Sequence, residues 1–241
     1  MIPKCRHIKP LNFILALICQ LVFASALFFF GTGALAHPVS FEGGYSLMSE
    51  FSTLRRETSF IYSPSFNTGA GVTWEQMDRI GSFTSLQLSW LVQRWNLNDA
   101  QGNIYAFGGP GYFDASDLNL QVNSFGNSEF RSDSFYRYGF QADYETRKFY
   151  SMVRFSENRV YTNSKNNNDI LFNMLDLRLG FAPYKGNYNQ LNSWLILNLR
   201  SDTNFHKIMI IPTLRFYFNN YLWEVAQDLD GNSHLNFMTR F

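Results

Sequence analysis

The feature that most constrains this chain is a recurring segment of about ten residues in which apolar and polar side chains alternate. Within residues 134–144, for example, Tyr136, Tyr138 and Phe140 alternate with polar or small residues such as Arg137. Successive side chains of a β-strand point to opposite faces, so each segment predicts a strand with one apolar and one polar face. The pattern predicts an all-β chain of about twelve antiparallel strands. Ten strands is the alternative, because the first hairpin can be assigned differently.

Turn signals and longer polar stretches separate the predicted strands. The short connections are 65–68, 98–102, 145–147, 185–188 and 219–220, and the longest are 112–133 and 159–168. We expect the short connections at the end of the barrel where the last strand finishes, and the long connections at the other end. Gly108-Gly-Pro-Gly111 predicts a flexible end to the fifth strand, and Pro212 predicts a bulge or a local distortion.

The first 36 residues read as a secretory signal peptide. Lys4, Arg6 and Lys9 precede a long apolar run, and Ala34-Leu-Ala36 supplies a small-residue cleavage pattern. Cleavage there would make His37 the first residue of a single barrel domain spanning 37–241. The alternative is a transmembrane anchor, because the apolar run is long enough to cross a bilayer.

The cysteines and the charge exclude several classes of protein. Cys5 and Cys19 both lie in the predicted signal peptide, so the mature chain has no disulfide, thiolate metal site or catalytic thiol. Loss of the signal peptide leaves a slight excess of acidic residues, which gives no indication of a nucleic-acid partner. No metal or other cofactor is expected.

Aromatic residues make up 18% of the chain, yet its mean hydropathy is −0.19. Alternating strands with aromatic girdles at the edges of a membrane produce this combination. A soluble, aromatic-rich sandwich would have a similar composition, so the strand pattern has to decide between them.

The last strand, residues 233–241, carries the most specific signature. One of its faces holds Leu235, Phe237, Thr239 and the terminal Phe241, and the other holds His234, Asn236, Met238 and Arg240. This segment resembles the closing strand of bacterial outer-membrane β-barrel proteins, which typically ends in Phe with apolar residues at alternate upstream positions. Thr239 departs from that pattern, since an aromatic or larger apolar residue is usual there.

The resemblance implies an antiparallel, up-and-down transmembrane β-barrel in the outer membrane of a Gram-negative bacterium, with both termini periplasmic. It also implies insertion by the barrel assembly machinery and contact with outer-membrane lipid and lipopolysaccharide. It leaves the oligomeric state open. A closed barrel is also the form in which strands satisfy their backbone polar groups in lipid.

Charged residues fall on the strand faces opposite the apolar band. We expect them to face a narrow lumen and to pair across it, leaving little room for a wide channel. They are Arg137, Asp143, Arg154, Asp176, Arg178, Arg200, Lys207, Arg215, Glu224 and Arg240.

Few residues indicate chemistry. His206 and His234 are weak catalytic candidates near strand ends, and Ser233 adjoins the second, although adjacent strand residues point to opposite faces. The chain has neither a Gly-x-Ser-x-Gly elbow nor a His-Glu-x-x-His motif. The carboxylates of Asp202, Asp228 and Asp230 could bind divalent cations or simply solubilise loops.

These observations support three hypotheses. The first is a non-enzymatic outer-membrane barrel with a structural, narrow-pore or surface role. The second is a lipid-modifying enzyme of the outer membrane that uses His206 or His234. The third is a soluble periplasmic β-protein that binds a small ligand.

Overall fold

The computed structural model describes residues 39–78, 80–115, 132–161, 169–184, 190–203 and 207–241. They form twelve strands, and the described residues contain no helix long and apolar enough to cross a membrane. The predicted signal peptide, His37 and His206 lie outside the described residues. The strands are β1 (Tyr45–Ser52), β2 (Arg55–Ser65), β3 (Thr68–Met77), β4 (Gly81–Asn96), β5 (Ala100–Asp114), β6 (Ser132–Thr146), β7 (Phe149–Val160), β8 (Ile170–Phe181), β9 (Asn192–Asp202), β10 (Lys207–Phe218), β11 (Tyr221–Gln227) and β12 (Ser233–Arg240).

The strands close into a single antiparallel barrel. Each strand pairs with its neighbours in sequence, and β1 pairs with β12 in a register that runs from Ser46 opposite Arg240 to Ser52 opposite His234. Beyond that ladder, the Tyr45 N–H donates to the Phe241 carbonyl at 2.7 Å, and the Phe241 N–H donates to the Tyr45 carbonyl at 3.0 Å. The predicted up-and-down barrel is confirmed, with twelve strands rather than ten.

We call the end where β1 begins and β12 finishes the terminal end, and the other the opposite end. The short predicted turns 65–68, 98–102 and 219–220 join strands at the terminal end, and the long connections after β5 and β7 join strands at the opposite end. Asn219, in the two-residue turn between β10 and β11, has a φ of 51°, a conformation that Asn tolerates.

The fifth strand is longer than its sequence suggests. Gly108-Gly-Pro-Gly111 lies inside β5 and pairs with β6, so the expectation of a flexible strand end was wrong. A Cβ on Gly109 would lie 2.1 Å from the carbonyl oxygen of Leu86 on β4, so the close approach of the two strands requires glycine there. Pro110 pairs with Tyr136 of β6 but has no partner in the ladder with β4. A proline has no N–H to donate to a neighbouring strand.

Of the two possibilities expected at Pro212, a bulge or a local distortion, the bulge is absent. Pro212 pairs with Leu197 of β9 in an uninterrupted register, and the ladder with β11 begins only at Thr213. A proline removes one donor, but this loss does not require an extra residue in the strand. The register shifts instead between Leu91 and Gln93 of β4, where the ladder with β5 slips by one residue.

The outer surface of the barrel is apolar. Large exposed side chains occupy alternate positions on most of the strands, and among them Leu88 is 62% and Leu179 63% exposed. Aromatic rings gather at the terminal end beside the closing strands, where the ring of Tyr45 stacks with those of Phe60 and Phe241 at 5.5 and 5.9 Å. This exterior is typical of a barrel surrounded by lipid.

Apolar side chains also close parts of the interior. At the opposite end the rings of Phe83, Phe113, Phe135 and Phe172 pack together, with Phe83 and Phe113 centroids 4.6 Å apart. Towards the terminal end a second cluster contains Tyr150, Met152, Ala182, Trp194 and Ile196, and a third joins Val39 to Leu91 and Tyr105. The middle of the lumen lies between these clusters and is polar.

Candidate functional site

The first group of lumen charges surrounds two glutamates, and we call it the Glu75 network. It contains Arg55 and Glu57 of β2, Glu75 of β3, Arg137 of β6 and Arg154 of β7. Arg55 binds both glutamates, with its Nε 2.6 Å from Oε1 of Glu75. Arg137 donates to the other oxygen of Glu75, whose side chain is fully buried.

The second group is the Glu224 network. Its members are Glu50 of β1, Asp176 and Arg178 of β8, Arg200 of β9, Arg215 of β10 and Glu224 of β11. The carboxylate of Glu224 forms ion pairs with Arg178 at 3.1 Å and with Arg215 at 2.7 Å, and it accepts a hydrogen bond from Asn236 at 2.5 Å. Asp176 is shared in the same way by Arg178 at 3.0 Å and Arg200 at 3.2 Å, and Arg200 also pairs with Glu50.

Several of these pairs join strands that are not neighbours in the barrel. Arg137 on β6 pairs with Glu75 on β3, and Arg200 on β9 pairs with Glu50 on β1. Such pairs must cross the interior, because the strands between them separate the partners on the wall. The attraction between two desolvated charges offsets their desolvation only when the geometry is good and further hydrogen bonds are made. Both networks meet that condition, because four of their five carboxylates are each shared by at least two arginines, namely those of Glu57, Glu75, Asp176 and Glu224.

A third polar group lies nearer the terminal end. Asp143 of β6 accepts hydrogen bonds from Asn103 at 2.7 Å and from Gln141 at 3.1 Å, and Arg94 donates to Asn103 at 2.8 Å. Arg240 of the closing strand is buried at the same end of the barrel, with 6% of its surface exposed.

Eight of the ten charged residues predicted for the lumen are buried or nearly so, Arg154 is 26% exposed, and the tenth lies at the rim. Lys207 begins β10 with 45% of its side chain exposed and pairs with Asp230 at the opposite rim. The other nine are Arg137, Asp143, Arg154, Asp176, Arg178, Arg200, Arg215, Glu224 and Arg240.

Sequence reasoning missed Glu50, Arg55, Glu57 and Glu75, which take part in more than half of the ion pairs of the two networks. They lie in the first three strands, where serines and threonines on both faces blur the alternation. One signal was present: Arg55 and Glu57 are in phase with Ile61, whose neighbours Phe60 and Tyr62 mark the outer face.

A cavity of about 130 Å³ remains in the lumen between the two networks. Its wall includes Glu57 and Arg154 from the first network and Arg178, Arg215 and Glu224 from the second. The lumen is therefore constricted at this level.

His234 faces the interior and lies near Asp228, with Nε2 3.6 Å from Oδ2. Ser233 is exposed and points to the other face of β12, so the structure does not bring it to His234. A nucleophile and its base must lie within hydrogen-bonding reach, and these two residues do not form such a pair.

Asp228 has a structural role in the connection between β11 and β12. Its carboxylate accepts hydrogen bonds from the backbone N–H and the side-chain amide of Asn232, both at 2.8 Å, and from the Asp230 N–H at 3.0 Å. Burial acts to raise the pKa of the Asp228 carboxyl, but the hydrogen bonds from Asn232 and the nearby His234 outweigh it and hold the pKa below its usual value.

The three aspartates considered for divalent cations do not converge. Asp202 is buried on β9, Asp228 binds its own loop, and Asp230 pairs with Lys207. Within the described ranges no group of three or more His, Cys, Asp or Glu residues is placed to hold a metal ion.

The closing-strand residues lie on the outer face. Leu235 and Phe237 are half-buried, and Phe241 is 60% exposed. Thr239 is only 8% exposed because it pairs with Leu47 on one side and Tyr221 on the other. These larger neighbours cover the position at which the usual signature has a bulkier residue.

No family model and no curated protein matches this sequence. Among solved structures, the chain is similar to a KdgM porin in complex with disordered oligogalacturonate, with 9% sequence identity and a TM-score of 0.45. That similarity covers 82% of this chain and 98% of the porin chain.

Proposed function

We propose that this protein is an integral outer-membrane β-barrel that acts as a narrow pore, with a lumen constricted by paired charges. The observation that carries the proposal is the Arg137–Glu75 bridge, which crosses the interior between β6 and β3 in a lumen that also holds a cavity of about 130 Å³. Such a lumen would admit water and small ions and would exclude sugars.

The outer surface supports the membrane location. Side chains such as Leu88, Leu179 and Leu195 are more than half exposed on a closed barrel, and a soluble protein rarely leaves so continuous an apolar surface in water. In lipid the same surface is stabilising, and closure leaves no unpaired strand edge. A soluble, ligand-binding β-protein is a weaker hypothesis for this reason.

Orientation and partners follow from the same proposal. The terminal end would be periplasmic, and the long connections after β5 and β7 would face the cell exterior. The barrel assembly machinery would insert the chain, and outer-membrane lipid and lipopolysaccharide would contact the outer face. Outer-membrane fractionation, combined with a shift in gel migration on boiling, tests this location, and a soluble periplasmic product would refute it.

Electrical recording tests the pore. Purified barrels in planar bilayers should give small, discrete conductance steps, and liposomes that contain them should not swell in isosmotic sugars. Conductance steps combined with rapid swelling would show an open lumen and refute the constriction. A complete lack of conductance would refute the pore.

A purely structural barrel is the second candidate. It is favoured by the packing of Phe83, Phe113, Phe135 and Phe172 across the opposite end of the interior. Under this alternative the protein conducts no ions, and its contribution is to the integrity of the membrane.

A further inference from the structure

Arg154 is incompletely paired in the middle of the lumen. Its Nη2 lies 3.6 Å from Oε1 of Glu57, and the other oxygen of the same carboxylate binds Arg55 at closer range. Its Nε is buried and has no hydrogen-bond acceptor among the described residues. A buried donor without a partner costs free energy, and the cost is greater when the group is charged.

The position of the guanidinium is fixed from one side. Its central carbon lies 5.2 Å from the ring centroid of Phe107 on β5, a distance at which the face of an aromatic ring attracts a cation. The side chain remains 26% exposed, against 4% for Arg137 in the same network. The space that it meets is the cavity between the two networks.

The cavity wall carries equal numbers of arginines and glutamates, and its glutamates, together with Arg178 and Arg215, are already engaged in close ion pairs. Arg154, Arg178 and Arg215 all line its wall. The carboxylates on the same wall are those of Glu50, Glu57 and Glu224, and each of them is bound by at least one arginine at 3.1 Å or less. A small anion placed here would meet the exposed part of the Arg154 side chain without displacing the closer ion pairs of the wall.

We propose that this cavity binds one small oxyanion, a carboxylate or a phosphate, with Arg154 as its principal ligand. A guanidinium presents a planar set of donors that matches the oxygens of either anion in a bidentate manner. The cavity volume of about 130 Å³ is sufficient for an ion of acetate or phosphate size. The proposal deepens the pore function proposed above, since it makes small oxyanions the solutes that pause in the lumen.

Titration calorimetry on the folded, detergent-solubilised protein tests the site, with sodium acetate and inorganic phosphate as separate probes. Wild-type protein should bind at least one of them with a stoichiometry of one. Arg154→Gln should weaken that binding by at least about tenfold, which corresponds to the loss of a hydrogen bond to a charged group. Arg154→Lys, which retains the charge without the planar donors, should bind with intermediate affinity.

Arg159→Gln is the matched control, because Arg159 lies on the same strand but is exposed and pairs with Asp169 at the rim. It should bind like the wild type. A shift in gel migration on boiling establishes that each variant is folded, and Arg154→Lys serves if the glutamine variant does not fold. Absence of binding by the wild type, or unchanged affinity in Arg154→Gln, would overturn the site. Barrels that bind the anion but conduct no current would refute the pore and leave the site standing.

Discussion

Arg137 on β6 donates a hydrogen bond to Glu75 on β3, although two strands separate them along the wall of the barrel. Glu75 is fully buried, and Arg55 binds its other oxygen at 2.6 Å. One carboxylate therefore connects three strands through the interior, in addition to the hydrogen bonds that connect them around the wall.

Replacing Glu75 with Gln should destabilise the barrel strongly. The change leaves two buried guanidinium groups without their shared carboxylate, and breaking a buried pair typically costs about 3–5 kcal/mol. The free energy of unfolding, measured by urea titration in lipid vesicles, checks this expectation. Asp169→Asn is the control, because its pair with Arg159 is exposed and its removal should change the free energy little. Equal losses in the two variants would contradict a structural role for the lumen network.

Leu197→Arg probes the outer face. Leu197 is 45% exposed on β9 and lies between Leu179 and Pro212 of the neighbouring strands, within the apolar surface. An arginine near the middle of the bilayer should cost about 2–4 kcal/mol of unfolding free energy in vesicles. Leu229→Arg, in the connection before β12, starts from a side chain that is 72% exposed and should be tolerated. If both variants were equally stable in lipid, this face would not be in contact with the membrane core.

The loop that Asp228 stabilises should respond to pH in a defined direction. The pKa of Asp228 is lowered by folding, so its contribution is fully present above the ordinary value of 3.8 and is lost as the pH falls through the lower, folded value. The difference in melting temperature between the wild type and Asp228→Ala should therefore be constant near neutral pH and shrink below about pH 4. Asp230→Ala removes a neighbouring carboxylate that is 48% exposed and should give a smaller difference. A difference that grew on acidification would contradict the assignment.

Phe83→Ala tests the aromatic closure at the opposite end. Phe83 is 1% exposed and contacts three other rings, so truncation should cost about 3–5 kcal/mol. It should also raise single-channel conductance in planar bilayers by widening the lumen. Phe66→Ala, at an exposed turn between β2 and β3, should change neither quantity. An unchanged conductance in a folded Phe83→Ala barrel would show that the aromatic cluster does not limit conduction.

The fold could be predicted from the sequence because one face of each barrel strand is apolar and the other is polar, and the alternation of side chains shows this directly. The prediction failed where glycine and proline were interpreted as strand ends or bulges without regard to how the neighbouring strands pair. The sequence of Gly108–Gly111 suggested flexibility, but its three glycines have no side chains and so allow β4 and β6 to approach closely on both sides.

The site was only partly predictable for a different reason. Alternation indicates which face a residue such as Arg178 occupies, but not which residue stands across the lumen. The pairing of Arg178 with Glu224 depends on the register of three successive ladders, from β8 to β11. Each ladder depends on turn lengths that sequence reasoning places only within a few residues. Glu50 and Glu75 were missed because their strands carry short polar side chains on both faces.

The contact between Tyr45 and Phe241 has a kinetic consequence. It joins the first strand to the last, so nearly the whole barrel sequence forms the loop that this contact closes. Every other ladder links strands that are adjacent in the chain and can form locally, whereas the ladder between β1 and β12 carries the largest entropic cost of closure. We therefore expect the other eleven ladders to form first and this one to form last. Until it does, β1 and β12 are two open edges that can pair with another chain, and the speed of this final step sets how long the protein is exposed to aggregation.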